Sequence, residues 1–414
     1  AAGDTFGCAL AMSHLSGVLL QQADPRALAL AAEAVDMLGP AEVSPEAVTI
    51  LERLAMRRVQ TGDRASVMDL AERAVNMCAV LGIPIPHMAL SLRGYARHSI
   101  GERREGLADL LAGVEAAKRY GSSGDIAALL DAAAVIVSLE DSVEASIRLR
   151  REGIAAAVTR QDEHAASYLR IGLLDDLVIA GDWDEALAQA ADVSHRAETS
   201  GLVSQQGQLD ALVALIFMLR GDSEAADPHV TWLVEHRDSM VGLELLGQLV
   251  VAMHLARRGD AAAASAALYE LTMRPNAFFS EPTAMRWWPE AVRTARDLGR
   301  ADLRASLTAY AASWAGLPRG SAEALAALDQ EQRGDFAAAV ASREAAAQVW
   351  PASEFPYERA QSCLGMSRSL AALSRAQEAA APLAEAREIF ARLGAGPALA
   401  EADGLMGRVG ASSV

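Results

Sequence analysis

Runs of alanine and leucine long enough to form helices are interrupted along this chain at nearly constant intervals. The interruption is usually a glycine followed by Asp, Glu or Arg: Gly62, Gly101, Gly181, Gly221, Gly259, Gly299 and Gly334, with a degenerate copy at Ser374-Arg375. Successive spacings are 39, 80, 40, 38, 40, 35 and 40 residues. The 80 is two periods, with Glu140-Asp141 at its middle, and extrapolation backwards places a further turn near Ala23-Asp24. A self-similar period of this length marks a helical-repeat array, here of about nine units. Each unit reads as helix A, a tight turn and helix B. The glycine closes helix A in the left-handed conformation that costs it little, and the Asp behind it caps helix B.

Two further positions keep phase with the turns. Seven residues before them stand Ala55, Gly94, Ala214, Ala252, Ala327 and Ser367; five residues after them stand Gly106, Ala186, Ala226, Ala264, Ala339 and Ala379. Small side chains at both places let the paired helices approach closely where they cross, a spacing similar to the tetratricopeptide pattern. The expected fold is therefore all-α, a tetratricopeptide-like right-handed α-solenoid with helix A lining the concave face. Three prolines within 274–289 interrupt helical periodicity. They suggest an N-terminal repeat segment over 1–273, an irregular Pro- and aromatic-rich connection over 274–289 and a C-terminal repeat segment over 290–414. Shorter irregularities are expected at Ile83–Pro86 and Trp350–Tyr357.

Composition narrows the function. The chain has 414 residues, 89 of them alanine, with aromatics at 5% and a net charge of −17. This acidity argues against an extended phosphate-backbone surface, so no direct nucleic-acid partner is expected. Of 37 basic residues only Lys118 is lysine. It sits in Ala-Ala-Lys-Arg-Tyr, which leaves no Gly-Lys-Ser/Thr phosphate loop. Cys8, Cys78 and Cys363 form no CxxC pair and read as small buried hydrophobes of a reducing, cytoplasmic setting. No apolar run reaches the ~18 residues of a membrane span, so no membrane partner is expected. The first residues, Ala-Ala-Gly-Asp, include no initiator Met, which suggests a chain cut from something longer.

Catalytic signals are weak. The eight histidines contain no i, i+4 pair of zincin type, no cysteine stands near a histidine in metal-ligand register, and no Gly-x-Ser-x-Gly elbow occurs. Neither a metal nor a cofactor is expected. Carboxylate pairs such as Asp175-Asp176 read as exposed-face charges. The aromatic clusters in the Pro-interrupted stretches carry more information: Phe278-Phe279, Trp287-Trp288, and Trp350 with Phe355 and Tyr357. They either plug gaps where a repeat is irregular or anchor a ligand, since Trp and Tyr are enriched in binding hot spots. Arg93, Tyr95, Arg97 and His98 lie on the helix that ends at Gly101. Arg93 and Arg97 share a face, as an anion contact or as an ordinary salt bridge within the array. The ligand- or partner-binding candidates are therefore Arg93, Tyr95, Arg97, His98, Trp287, Trp288, Trp350 and Tyr357.

The stretch Ala89–Leu110, with Arg93-Gly-Tyr-Ala-Arg97, Gly101-Glu and Gly106-Leu-Ala-Asp-Leu, resembles the repeat tails of bacterial class III nucleotide cyclases that carry a STAND-type ATPase. Arg151-Glu-Gly-Ile and Gly181-Asp-Trp-Asp-Glu-Ala-Leu are similar to later segments of those tails. Tyr357-Glu-Arg-Ala and Ala386-Arg-Glu-Ile-Phe-Ala-Arg-Leu-Gly-Ala are shared with large ATP-binding LuxR-family regulators. The resemblance implies a non-catalytic sensor arm. It would bind a protein or small-molecule effector on its concave face, act with other domains of the same polypeptide, and control an ATPase and a cyclase. In a LuxR-type activator the same arm would bind an inducer.

Overall fold

The structure is a computed structural model that describes residues 5–21, 26–38, 43–60, 63–121, 123–140, 142–200, 203–237, 244–273, 282–312, 317 and 320–411. Of these, 88% are helical and none is in a strand. The helices follow one another in ten pairs. The first five are α1 (Thr5–Gln21) with α2 (Arg26–Asp36), α3 (Pro45–Gln60) with α4 (Arg64–Leu81), α5 (His87–Ser99) with α6 (Arg103–Tyr120), α7 (Ser123–Glu140) with α8 (Val143–Thr159), and α9 (Glu163–Ala180) with α10 (Trp183–Ser200). The other five are α11 (Val203–Arg220) with α12 (Ser223–Glu235), α13 (Glu244–Arg257) with α14 (Ala261–Met273), α15 (Pro282–Asp297) with α16 (Ala301–Ala312), α17 (Ser321–Arg333) with α18 (Phe336–Val349), and α19 (Pro356–Ala372) with α20 (Ala376–Leu393). A single helix, α21 (Gly396–Ala411), follows the last pair. The array thus holds ten pairs and a terminal helix rather than about nine units. Residues at three of the expected turns, Ala23-Asp24, Gly62 and the Asp141 of Glu140-Asp141, lie outside the described residues.

The punctuation works as its chemistry dictates. The turn glycines from Gly101 to Gly334 all have positive φ, and Ser374, the degenerate copy, takes the same conformation at φ 62°. Asp222 and Asp335 then accept from the free N–H groups of Ala225 and Ala338 at 3.0 and 3.2 Å, capping α12 and α18. The small positions meet where the helices cross. Ala214, Ala252, Ala327, Ala186, Ala226, Ala264, Ala339 and Ala379 are fully buried, and the Ser367 hydroxyl donates to the Ala379 carbonyl at 3.1 Å. The closest crossing is α5 on α6. A Cβ on Gly94 would stand 2.7 Å from the Gly106 carbonyl oxygen, and one on Gly106 would stand 2.6 Å from that of Gly94. Gly94→Ala is therefore expected to lower stability by about 1–3 kcal/mol through overpacking, despite its better helix propensity. Equal or higher stability of this variant in urea unfolding would show that the crossing has room to spare.

The chain divides into two compact units. Unit 1 is built chiefly from residues 1–136, and unit 2 from Val137–Val158, Ala166–Pro275 and Glu281–Val414. Each has its own apolar core. That of unit 1 gathers α1 to α5 around Ala9, Leu51, Ala74 and Cys78; that of unit 2 runs from Val143 to Val409. Residues 274–281 lie outside the described residues, but α13 packs directly on α15 and α14 on α16. Helix α15 begins at Pro282, a position where a missing N–H costs nothing, and it continues through Pro289.

In unit 2 the early and late helix pairs touch. The Glu354 carboxylate, in the loop before α19, accepts from the Val143 N–H at 2.9 Å and the Ser142 hydroxyl at 3.0 Å, and so caps α8. A Cβ on Gly221 would stand 3.0 Å from Pro397, and one on Gly396 would stand 2.8 Å from the Arg220 carbonyl. The Gly181 turn seats against Pro356 and Leu393 in the same way. Leu405 and Val409 of α21 join the core, while Asp403, Met406 and Arg408 are exposed.

Candidate functional site

The convergence of α9, α15 and α19 in unit 2 creates the most chemically distinctive environment in the structure. Helix α15 carries Arg286, Glu290 and Arg293 at spacings of four and three, one stripe on its surface. This stripe faces inward. Arg286 donates to Asp175 of α9 at 2.9 Å, with both side chains almost fully buried. Arg293 donates from Nε to Glu290 at 2.6 Å and holds Glu358 of α19 with both terminal nitrogens. Tyr357 donates to Glu290 at 3.4 Å and accepts from Gln361 at 3.0 Å. Burial alone would lower the Arg293 pKa, but Glu290 and then Glu358 outweigh it and hold the guanidinium well above its ordinary value. Burial and Glu290 together push the Tyr357 phenol well above its usual range, so it stays a neutral donor.

Aromatic rings surround this network. Tyr357 stands 6.0 Å from Trp183, 6.0 Å from Trp287 and 5.9 Å from Phe390, centroid to centroid, in tilted to edge-on contact. Trp350 lies flat on Gly320, where a Cβ would stand 2.6 Å from the indole; the left-handed φ of 83° independently requires glycine there. Between them is a cavity of about 30 Å³ lined by Ile179, Arg286, Trp287, Ser321, Trp350, Phe355, Tyr357 and Glu358. That is room for about one water molecule. The indole N–H of Trp287, one of the lining residues, is buried without an acceptor among the described residues. Such an unmet donor costs roughly 1–3 kcal/mol.

Three of the residues singled out from sequence, Trp287, Trp350 and Tyr357, therefore come together around one cavity. Trp288 does not join them. It points to the other side of α15, donates to the Leu307 carbonyl at 3.0 Å and stacks on Tyr310 at 5.3 Å, tying α15 to α16. Arg93 and Arg97 lie in unit 1 and both engage the nearly buried Asp109 of α6. Arg93 makes a bidentate pair at 2.7 and 2.6 Å, and Arg97 donates at 2.9 Å. Tyr95 is half-buried beside them and His98 is buried. Phe278-Phe279 lies outside the described residues.

Two expectations are overturned: Cys8 is exposed, unlike the buried Cys78 and Cys363, and the carboxylate pair is not at the surface. Asp175 and Asp176 are not exposed-face charges; both are essentially inaccessible. Asp175 holds Arg286, while Asp176 holds Arg150 and accepts from Ser146 at 2.5 Å. Adjacent residues on a helix reach different neighbours, and on an inner helix both neighbours are protein. The sequence reading also missed Trp183, Glu290, Arg293, Glu358 and Phe390. A signal for them existed in the charged stripe of α15, which interrupts an otherwise apolar helix facing other helices on both sides.

No group of three or more His, Cys, Asp or Glu among the described residues is placed to hold a metal ion. No helix among them is long and apolar enough to cross a membrane. The fold is that of a tetratricopeptide-like helical solenoid. A crystal structure of a Rap protein complexed with competence and sporulation factor is similar at a TM-score of 0.50 and 12% identity, over 93% of this chain and 98% of that one. Yeast Tom70 aligns over 97% and 96% at 11% identity, with a TM-score of 0.33. No protein-family model matches the chain, and no curated protein matches it. The likeness is one of fold. Tetratricopeptide-like arrays use such packed helices to present interaction surfaces.

Proposed function

We propose that the chain is a non-catalytic regulatory arm that senses an effector through the aromatic cavity of unit 2. One observation carries this reading: Trp287, whose buried indole N–H has no acceptor among the described residues, lines a cavity with Trp350, Phe355 and Tyr357. An apolar group next to a carbonyl oxygen, as on an extended peptide, supplies both the contact and the missing acceptor. The cavity as it stands accepts about one water. A larger guest enters only when the loop carrying Trp350 and Phe355 moves. That loop also carries Glu354, whose carboxylate caps α8. Guest binding and release of this contact are thereby linked, and a guest that prefers the released state shifts the population toward it. The complex of the Rap protein with its factor supports a sensing role by analogy of fold.

The output is proposed from sequence resemblance: an ATPase and nucleotide-cyclase output carried by the same polypeptide. Tyr357 and Glu358 line the cavity and belong to the Tyr-Glu-Arg-Ala motif that LuxR-type activators share, so an inducer-binding arm is the second reading. A display library of short peptides panned on the purified chain tests the sensing step. Peptides enriched on the wild type are expected to lose binding by about tenfold or more on Trp350→Ala, the usual cost of a central aromatic anchor, while helicity is kept. Equal enrichment on both proteins removes the cavity as the sensing site.

A further inference from the structure

Unit 1 holds a polar cluster of its own. The inward face of α1 is not fully apolar. It carries Ser13, Ser16 and Gly17, and the two serines are 1% and 0% exposed with hydroxyls that meet no partner. Helix α3 packs on this face. It brings Arg53 and Arg57, one turn apart and on one side of the helix. The Arg57 guanidinium lies over Gly17, with Nη2 3.5 Å from where a Cβ would stand. One nitrogen of each arginine, Arg53 Nη1 and Arg57 Nε, is buried without an acceptor.

These two cations differ from most other buried or half-buried arginines in the protein. Arg93, Arg97, Arg150, Arg286, Arg293 and Arg343 each hold a carboxylate. Neighbouring Arg58 pairs with Asp63. No described carboxylate lies within ion-pair distance of Arg53 or Arg57; Glu52, adjacent in sequence, acts on Arg53 only through space. Burial, and next the Arg53 charge, pull Arg57 below the ordinary guanidinium range. Among the described residues, a chain of net charge −17 has left one buried nitrogen on each of two neighbouring arginines and two buried hydroxyls without acceptors.

We infer that the α1–α3 face is a binding site for a dianionic phosphoryl group, held by Arg53 and Arg57 with the hydroxyls of Ser13 and Ser16. Burial pushes the neighbouring Glu52 carboxyl up to about 7, and with that group protonated a dianion matches the two positive charges, whereas a carboxylate would leave one uncompensated. Guanidinium groups suit the tetrahedral oxyanion because they offer forked donors. The missing side chain at Gly17 lets the guanidinium settle close to α1.

Titration of the whole chain with inorganic phosphate by calorimetry, at ionic strength held constant with sodium chloride, tests this assignment. Saturable binding is expected for phosphate and for phosphoserine, with acetate at least about tenfold weaker, as the lost charge-assisted bonds require. Phosphoserine binding as tightly as phosphate assigns a phosphomonoester as the ligand, and phosphate alone binding assigns the free ion. Arg53→Gln with Arg57→Gln is expected to abolish binding, while Arg58→Gln leaves it intact. Because neither arginine pairs with a carboxylate among the described residues, the double variant should unfold at the same or a higher temperature than the wild type. If that variant fails to fold, Ser16→Ala alone, which removes one hydroxyl from the buried face, should still weaken phosphate binding severalfold. Phosphate heats no larger than those of chloride, or undiminished binding by the arginine variant, overturn the proposal.

Discussion

Replacing Arg293 with methionine is expected to cost about 3–5 kcal/mol, the penalty for leaving buried carboxylates without their cation. Methionine keeps much of the side-chain length, so the loss is chiefly electrostatic. Glu290 and Glu358 both lose their main donor, and Tyr357 loses the guanidinium 5.8 Å from its ring. The pH dependence fixes the sign. Burial already raises the Glu358 pKa above its ordinary value against the pull of Arg293. Without Arg293 the folded state holds its carboxyl protons more tightly still, so the deficit grows as pH rises and shrinks as pH falls toward the unfolded value. Adding Glu358→Gln to the variant should restore part of the loss at neutral pH. Urea unfolding of the single and double variants at pH 5 and pH 8 measures this. A deficit independent of pH would mean that packing, not charge, is what Arg293 supplies.

Trp183→Ala is expected to be as damaging, about 3–5 kcal/mol, because a large aromatic is removed from a site that cannot collapse. Trp183 is 1% exposed, donates from its indole to the Val178 carbonyl at 2.9 Å, and has Arg220 5.8 Å from its ring. It lies at the start of α10, yet its ring neighbour is Tyr357. Its loss should therefore act at a distance in sequence. Hydrogen exchange is expected to speed up at the first turn of α8 and around 354–357, where Glu354 makes its cap. Faster exchange confined to α9 and α10 would show that the early and late pairs of unit 2 hold together without this residue.

The fold was readable because a helical repeat writes the same local instruction many times. Gly-Asp turns need a left-handed residue and a cap, and crossing helices need small side chains; both demands act within some twenty residues. The count was readable too, since the seven glycines, Ser374, Glu140-Asp141 and Ala23-Asp24 make ten turns, one more than the expected nine units and matching the ten pairs among the described residues. Long-range pairing was the hardest to see. Asp175 looked like a surface charge because the residue that neutralises it, Arg286, lies 111 positions away. Trp287 and Trp288 look alike in sequence, yet neighbouring positions on a helix point about 100° apart: one faces the cavity and the other fastens α16. The prolines of 274–289 carry a related ambiguity. Proline interrupts a helix interior but is well suited to its first turn, and α15 starts at one.

The cap that Glu354 places on α8 also bears on how this protein can change its length over generations. Open repeat arrays gain or lose whole units readily, since each unit answers only to its neighbours. Here residues 211 positions apart in the chain are joined by a direct hydrogen bond. Duplicating or deleting one 40-residue unit between α9 and α18 would carry Glu354 away from Val143, Pro356 from Gly181 and Pro397 from Gly221 together. Unit 2 is thus a repeat protein whose number of repeats is itself part of the structure.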